Sequence, residues 1–118
     1  MLTLPPSTRV FVATRPADMR RSFDGLLALV RDFLGGDPLS GHLFVFRNRA
    51  GDRLKVLWWD RDGLAIFYKR LEEGRFTFPI PAHDAAQLEL SAADLQLVLQ
   101  GIDPSKVKRA NRYQRPAA

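Results

Sequence analysis

The sequence has no cysteine and only two histidines. The first absence excludes a disulfide framework and a thiolate zinc site, and His42 and His83, far apart and without a motif partner, cannot by themselves supply a three-ligand metal centre. No metal or cofactor is expected. Long apolar runs are also missing: none approaches the ~18 residues that a membrane span needs. The first twenty residues carry Pro5, Pro6, Arg9, Arg15, Pro16 and Asp18 and lack the apolar core of a signal peptide. A soluble, cytoplasmic protein without a membrane partner is therefore expected. Acidic residues are absent after Pro104, whereas Lys106, Lys108, Arg109, Arg112 and Arg115 all lie there.

What is present fits a folded domain. Hydrophobic residues make up 46% and charged residues 26% of 118 positions, outside the low-hydrophobicity regime of disordered chains. Length and composition together predict one domain over residues 1–103 and a flexible basic tail over 104–118. Eighteen Lys and Arg face thirteen Asp and Glu, and five of the bases belong to the tail, so residues 1–103 hold thirteen of each sign. The whole net charge of +5 sits on the tail.

Residues 9–14, Arg-Val-Phe-Val-Ala-Thr, are β-branched and aromatic between Pro6 and Pro16 and predict a short strand. From Ser22, which can cap a helix, Phe23, Leu26, Leu27, Val30, Phe33 and Leu34 recur at three- and four-residue steps, the stripe of a helix closed by Gly35-Gly36. Residues 43–78 read as a meander: strands over 43–47, 53–59, 64–71 and 75–78, with turns at Asn48–Gly51, Asp60–Gly63 and Glu72–Gly74. Ser91 and Asp94 form a variant capping box, Leu90 and Leu95 suit a hydrophobic staple, Gly101 follows the final turn, and Ala92, Leu95, Val98, Leu99 and Ile102 give this last helix its stripe. The fold class predicted is α+β, a mainly antiparallel sheet of four to five strands packed by two helices, both on one face.

Two constellations bear on function. Lys and Arg of the tail, with Tyr113 among them, suit phosphate contacts and base stacking; the alternative is a solvated terminus kept charged for solubility. In the 53–59 strand, alternation puts Arg53, Lys55, Leu57 and Trp59 on one face, and Arg53, Lys55 and Trp59, extended by Arg70, could follow a nucleic-acid backbone. Ordinary solvent-face alternation competes with that reading. Asp60 and Asp62 resemble half of a Mg²⁺ site, but Asp before Gly63, which would take positive φ, is sufficiently explained as turn chemistry. No catalytic residue is assigned and no enzyme activity is expected.

Five ungapped blocks occur in a familiar order: Asp18-Met-Arg-Arg-Ser-Phe-Asp-Gly-Leu26, Gly41-His-Leu-Phe-Val-Phe46, Leu54-Lys-Val-Leu-Trp-Trp-Asp-Arg-Asp-Gly63, Lys69-Arg-Leu-Glu-Glu-Gly-Arg-Phe76 and Gly101-Ile-Asp103. Across residues 5–103 the chain resembles the TnpB accessory proteins of insertion-sequence-66-type bacterial transposons, which are unrelated to the RNA-guided nuclease of the same name. Phe78-Pro79 stands where that family often has Trp-Pro. The resemblance implies a protein needed for efficient movement of the element and encoded beside a DDE transposase and a second small accessory protein. It implies no catalytic residues. The function expected is that of a non-enzymatic accessory protein for DNA transposition. It would bind DNA, with transposon ends as the hypothesised site, through the tail and the basic and aromatic sheet face. The alternative is a module that docks on the transposase without touching DNA, through Trp58, Trp59, Phe67 and Tyr68.

Overall fold

The β-branched and aromatic segments form strands and the three- and four-step segments form helices, with one strand arising where the sequence pattern is thin. A computed structural model describes residues 5, 7–79, 81 and 84–107. In chain order the elements are β1 (Val10–Ala13), α1 (Phe23–Leu29), β2 (Leu43–Arg47), β3 (Arg53–Asp60), β4 (Gly63–Arg70), β5 (Gln87–Leu90) and α2 (Ala92–Leu99). A π-helical turn over Val30–Leu34 continues α1, and a 3-10 turn over Pro104–Lys106 follows α2.

The five strands form one sheet in the order β4-β3-β2-β1-β5. The β2–β3, β3–β4 and β1–β5 pairs are antiparallel, while β1 and β2, joined through α1, run parallel with Val10 opposite Leu43. The α+β expectation holds, with one parallel pair in a mostly antiparallel sheet.

The expected placement of both helices on one face does not hold. Val10, Val12, Leu43, Val45, Leu54 and Val56 point to the side covered by Leu95, Val98 and Leu99 of α2. Ala13, Phe44, Phe46 and Leu57 point the other way, onto Leu26 and Val30 of α1. Strand side chains alternate faces, and here both sets are apolar in the central strands, so each face needs its own helix. The protein has three layers, and neither face of the central sheet is wet.

Four local expectations are also corrected. Residues 75–78 are extended but unladdered; Phe76 is buried, and its N–H donates to the Gly51 carbonyl at 2.9 Å. The fifth strand is β5, which was not expected; it pairs with β1, and its Leu88 and Leu90 alternate with Gln87 and Glu89. Ser22 precedes α1 but its side chain makes no cap bond. Positive φ at the β3–β4 turn belongs to Arg61 (58°) rather than Gly63. The Asp62 N–H donates to the Asp60 carbonyl at 2.6 Å, so a γ-turn about Arg61 carries the reversal.

The helix ends follow their sequences more closely. Ser91 accepts the Asp94 N–H at 3.0 Å, the expected N-cap bond. At the far end the Ile102 N–H reaches the Leu97 carbonyl and the Gly101 N–H reaches that of Val98, with Gly101 at φ 82°. That bond pattern is a Schellman motif. Along α1 the π turn changes the phase of the stripe: each residue advances by less than the α-helical 100°, and Phe33 is carried off the buried side to 68% exposure. Phe23, expected in the stripe, is exposed as well.

Candidate nucleic-acid interface

The β3–β4 hairpin sets the register of the candidate surface. Its pairing puts Arg53 opposite Arg70, Lys55 opposite Tyr68, Leu57 opposite Ile66 and Trp59 opposite Leu64. Because directly opposed residues share a face, these side chains form two columns on the α1 side. The helix covers only the Leu57 end: Leu57, Ile66 and Leu64 belong to the apolar cluster beneath it. The Arg53–Arg70 end projects past it.

Lys55, expected at a DNA surface, is withdrawn from solvent, 7% exposed. Its ammonium donates to the carbonyls of Met19 at 2.8 Å and Arg21 at 2.7 Å. It also lies 4.6 Å from the centre of the Tyr68 ring, a cation–π contact. A lysine in the outer half of a sheet can bury its stem and spend its charge on a neighbouring loop; here that loop leads into α1. Lys55 is a strut of the site rather than a contact surface.

Around it, Arg53 is partly exposed and directs a guanidinium N–H at the Tyr68 hydroxyl across 3.4 Å. Arg70 pairs with Glu72 at 3.0 Å. Arg53, Tyr68, Arg70 and Glu72 line a shallow recess of about 410 Å³. Asp52, close by, is held below the usual carboxylate range, chiefly by the Asn48 side-chain amide, which donates to it at 2.7 Å. Asn48 Oδ1 in turn accepts the N–H groups of Gly51 and Arg53, fixing the β2–β3 turn and the start of β3. Arg53 makes no ion pair among the described residues.

Arg20 is engaged elsewhere. It grips Asp18 at 2.7 Å, and its side-chain hydrogen bonds to Asp18, joined by its backbone N–H, lower that carboxyl to about 2. Trp59 is half-buried on the same face as Arg53, at the opposite end of β3 from it. The surface therefore brings together Arg53 and Arg70, leaves Trp59 apart and internalises Lys55. Of the expected tail contacts, Lys106 is exposed in the 3-10 turn; Lys108, Arg109, Arg112 and Arg115 lie outside the described residues, as do Tyr113 and His83.

Tyr68 was not among the DNA contacts read from the sequence. Counting outward from the expected strand limits, with residue 59 opposite 64, already sets Tyr68 opposite Lys55 and Arg53 opposite Arg70. That signal was legible. The aromatic docking patch divides differently: Trp58 and Phe67 pack on the α2-side cluster, whereas Trp59 and Tyr68 lie on the α1 side. His42, given no role, accepts the Arg9 N–H at 3.0 Å and helps align β1 with β2.

Fold and surface together define a small three-layer α+β protein with a basic and aromatic sheet margin and no helix among the described residues long and apolar enough to cross a membrane. The model of the IS66 Orf2-like protein family matches residues 8–109, and the chain belongs to that family. It is a transposition-associated accessory protein. It is similar to the uncharacterized proteins y4jC and y4hO of Sinorhizobium fredii (strain NBRC 101917 / NGR234). The first is 45% identical over 86% of this chain and 85% of the relative; the second is 43% identical over 87% and 88%. No solved structure matches the chain.

Proposed function

We propose that this accessory protein binds DNA directly and without catalysis. The basic tail (Lys106, Lys108, Arg109, Arg112, Arg115) would hold phosphates, and the sheet margin (Arg53 and Arg70 around Tyr68) would extend the footprint. The observation that carries the reading is the pairing of two arginines directly opposite one another, like charges whose repulsion a bound phosphate would relieve; Arg70 is held by Glu72 and Asp52 feels the charge of both arginines, while Arg53 forms no ion pair among the described residues. Phosphate contacts from such groups give affinity that is largely independent of sequence. Lys55 and Lys69 act at one remove. The first secures the loop before α1. The second donates to the Leu99 carbonyl at the end of α2 at 3.0 Å, where a cation suits the helix dipole.

The test is fluorescence anisotropy with transposon-end and unrelated DNA. Replacing the five tail cations by Gln in the full chain is expected to weaken binding at least tenfold, and Arg53→Gln with Arg70→Gln to weaken it further. Unchanged affinity in both variants would overturn the reading. Mg²⁺-dependent cleavage of the same DNA, lost in Asp60→Asn, would overturn its non-catalytic part.

A second reading is docking on the transposase or the other accessory protein of the same element. It draws support from Phe33, which stands on the lip of a groove of about 650 Å³ walled by Ala17, Leu29, Leu34, Phe46 and Pro81. Capture of the transposase that fails in Phe33→Asp, while DNA affinity is unchanged, would favour docking over direct binding as the main role.

A further inference from the structure

We infer that the Arg53–Tyr68–Arg70 margin takes unpaired nucleotides of single-stranded DNA, with Tyr68 as the stacking platform. This rests on the DNA-binding reading and adds the strandedness of the ligand. Three observations carry it. Tyr68 is 47% exposed although it belongs to an eight-residue strand in register with β3. Its ring is held from below, with the Lys55 ammonium 4.6 Å from its centre and the Arg53 guanidinium at its hydroxyl. The ring therefore needs little ordering on binding, and that cost is one that recognition ordinarily carries.

The cations are placed for the chemistry that accompanies stacking. Arg70, two residues along β4 from Tyr68, and Arg53, diagonal to it on β3, stand together at one end of the ring, placed to meet a phosphate beside one stacked base. Glu72, which now holds Arg70 at 3.0 Å, is 81% exposed in its side chain and is a surface partner that a phosphate can displace; exposed pairs of this kind are weak. Duplex DNA presents phosphates but keeps its base faces stacked inside. A ring with one face on the Lys55 ammonium and the rest turned outward from the sheet is suited to a base already out of the stack. A surface built for phosphates alone would not require the exposed ring.

The test uses the full chain and fluorescein-labelled 20-nucleotide DNA as a single strand and as the matching duplex, with Tyr68→Ala, Tyr68→Leu and Tyr68→Phe variants. Wild-type protein is expected to bind the single strand more tightly. Tyr68→Ala and Tyr68→Leu should each lose about tenfold on the single strand and less than twofold on the duplex. Tyr68→Phe, which keeps the ring and drops the hydroxyl, should stay within about twofold of wild type on both. Tyr68→Leu keeps apolar bulk over Lys55, so its loss cannot be ascribed to an emptied site. Equal or tighter duplex binding that is indifferent to all three substitutions would overturn the inference and leave the DNA-binding reading standing. Binding of neither DNA would overturn both.

Discussion

Lys55 lies in an alternating run, Arg53-Leu-Lys-Val-Leu57, in which the even-numbered residues are core and the cations look like the solvent side. Its charge instead meets two main-chain carbonyls and an aromatic ring, an arrangement that costs dehydration of the ammonium and is offset by charge-assisted hydrogen bonds. Because the carbonyls belong to Met19 and Arg21, the lysine fastens the approach to α1 onto the hairpin. Lys55→Met preserves most of the stem volume but leaves both carbonyls without their donor. It should destabilise the fold by about 1–3 kcal/mol, read as a lower urea midpoint with an unchanged m-value. A midpoint equal to wild type would mean that water replaces the ammonium at no cost.

At the scale of elements, the adjacent glycines after the first helix do different work. Gly35 has φ 63° with nothing within 4 Å of the position a Cβ would take, so its role is conformational. Gly36 has no such φ, but a Cβ there would lie 2.9 Å from Cε1 of Phe44, a ring in the fully buried core. Gly36→Ala is predicted to overpack that contact and cost about 1–3 kcal/mol. Combining it with Phe44→Leu should cost less than the sum of the two single changes, because the residues touch; strict additivity in thermal unfolding would refute the steric account. The sequence marked the glycine pair as a helix stop, which Gly35 is, but could not show the packing role, which depends on a strand eight residues further on. The same divide runs through the fold. Strands β1 to β4 and both helices were legible from period and punctuation, as was the α2 cap at Ser91. Strand β5 was not: its four residues offer two leucines beside a helix start, and pairing with β1 across the sheet makes them a strand. Nor was the exposure of Phe33, since a π turn has no distinct sequence period to announce it. At the candidate site, Arg53 and Arg70 were legible as surface cations, whereas the internal use of Lys55 depended on where the Met19–Arg21 loop came to rest.

For the molecule as a whole, the partition of charge decides how binding should respond to salt. Residues 1–103 carry equal numbers of acids and bases, and several of the bases are already committed, Arg9 to Glu89, Arg20 to Asp18 and Lys55 to carbonyls. A polyanion approaching the protein meets net attraction from the tail, and locally from cations it can draw away from exposed partners, such as Arg70 from Glu72. Each phosphate neutralised on duplex DNA contributes about −0.9 to the slope of log affinity against log salt. With four or five tail cations engaged, the tail should account for roughly −4 of the slope. The variant with all five replaced by Gln should retain only a shallow slope of roughly −2, from the two arginines of the sheet margin. Titrations between 50 and 200 mM salt, at roughly the range over which counterion release is readily measured, distinguish this from binding by the folded body. If the two slopes coincide, the tail does not meet phosphate. The attraction would then have to come from a surface whose charges are formally balanced, which only a strongly asymmetric arrangement of its thirteen acids and thirteen bases could supply.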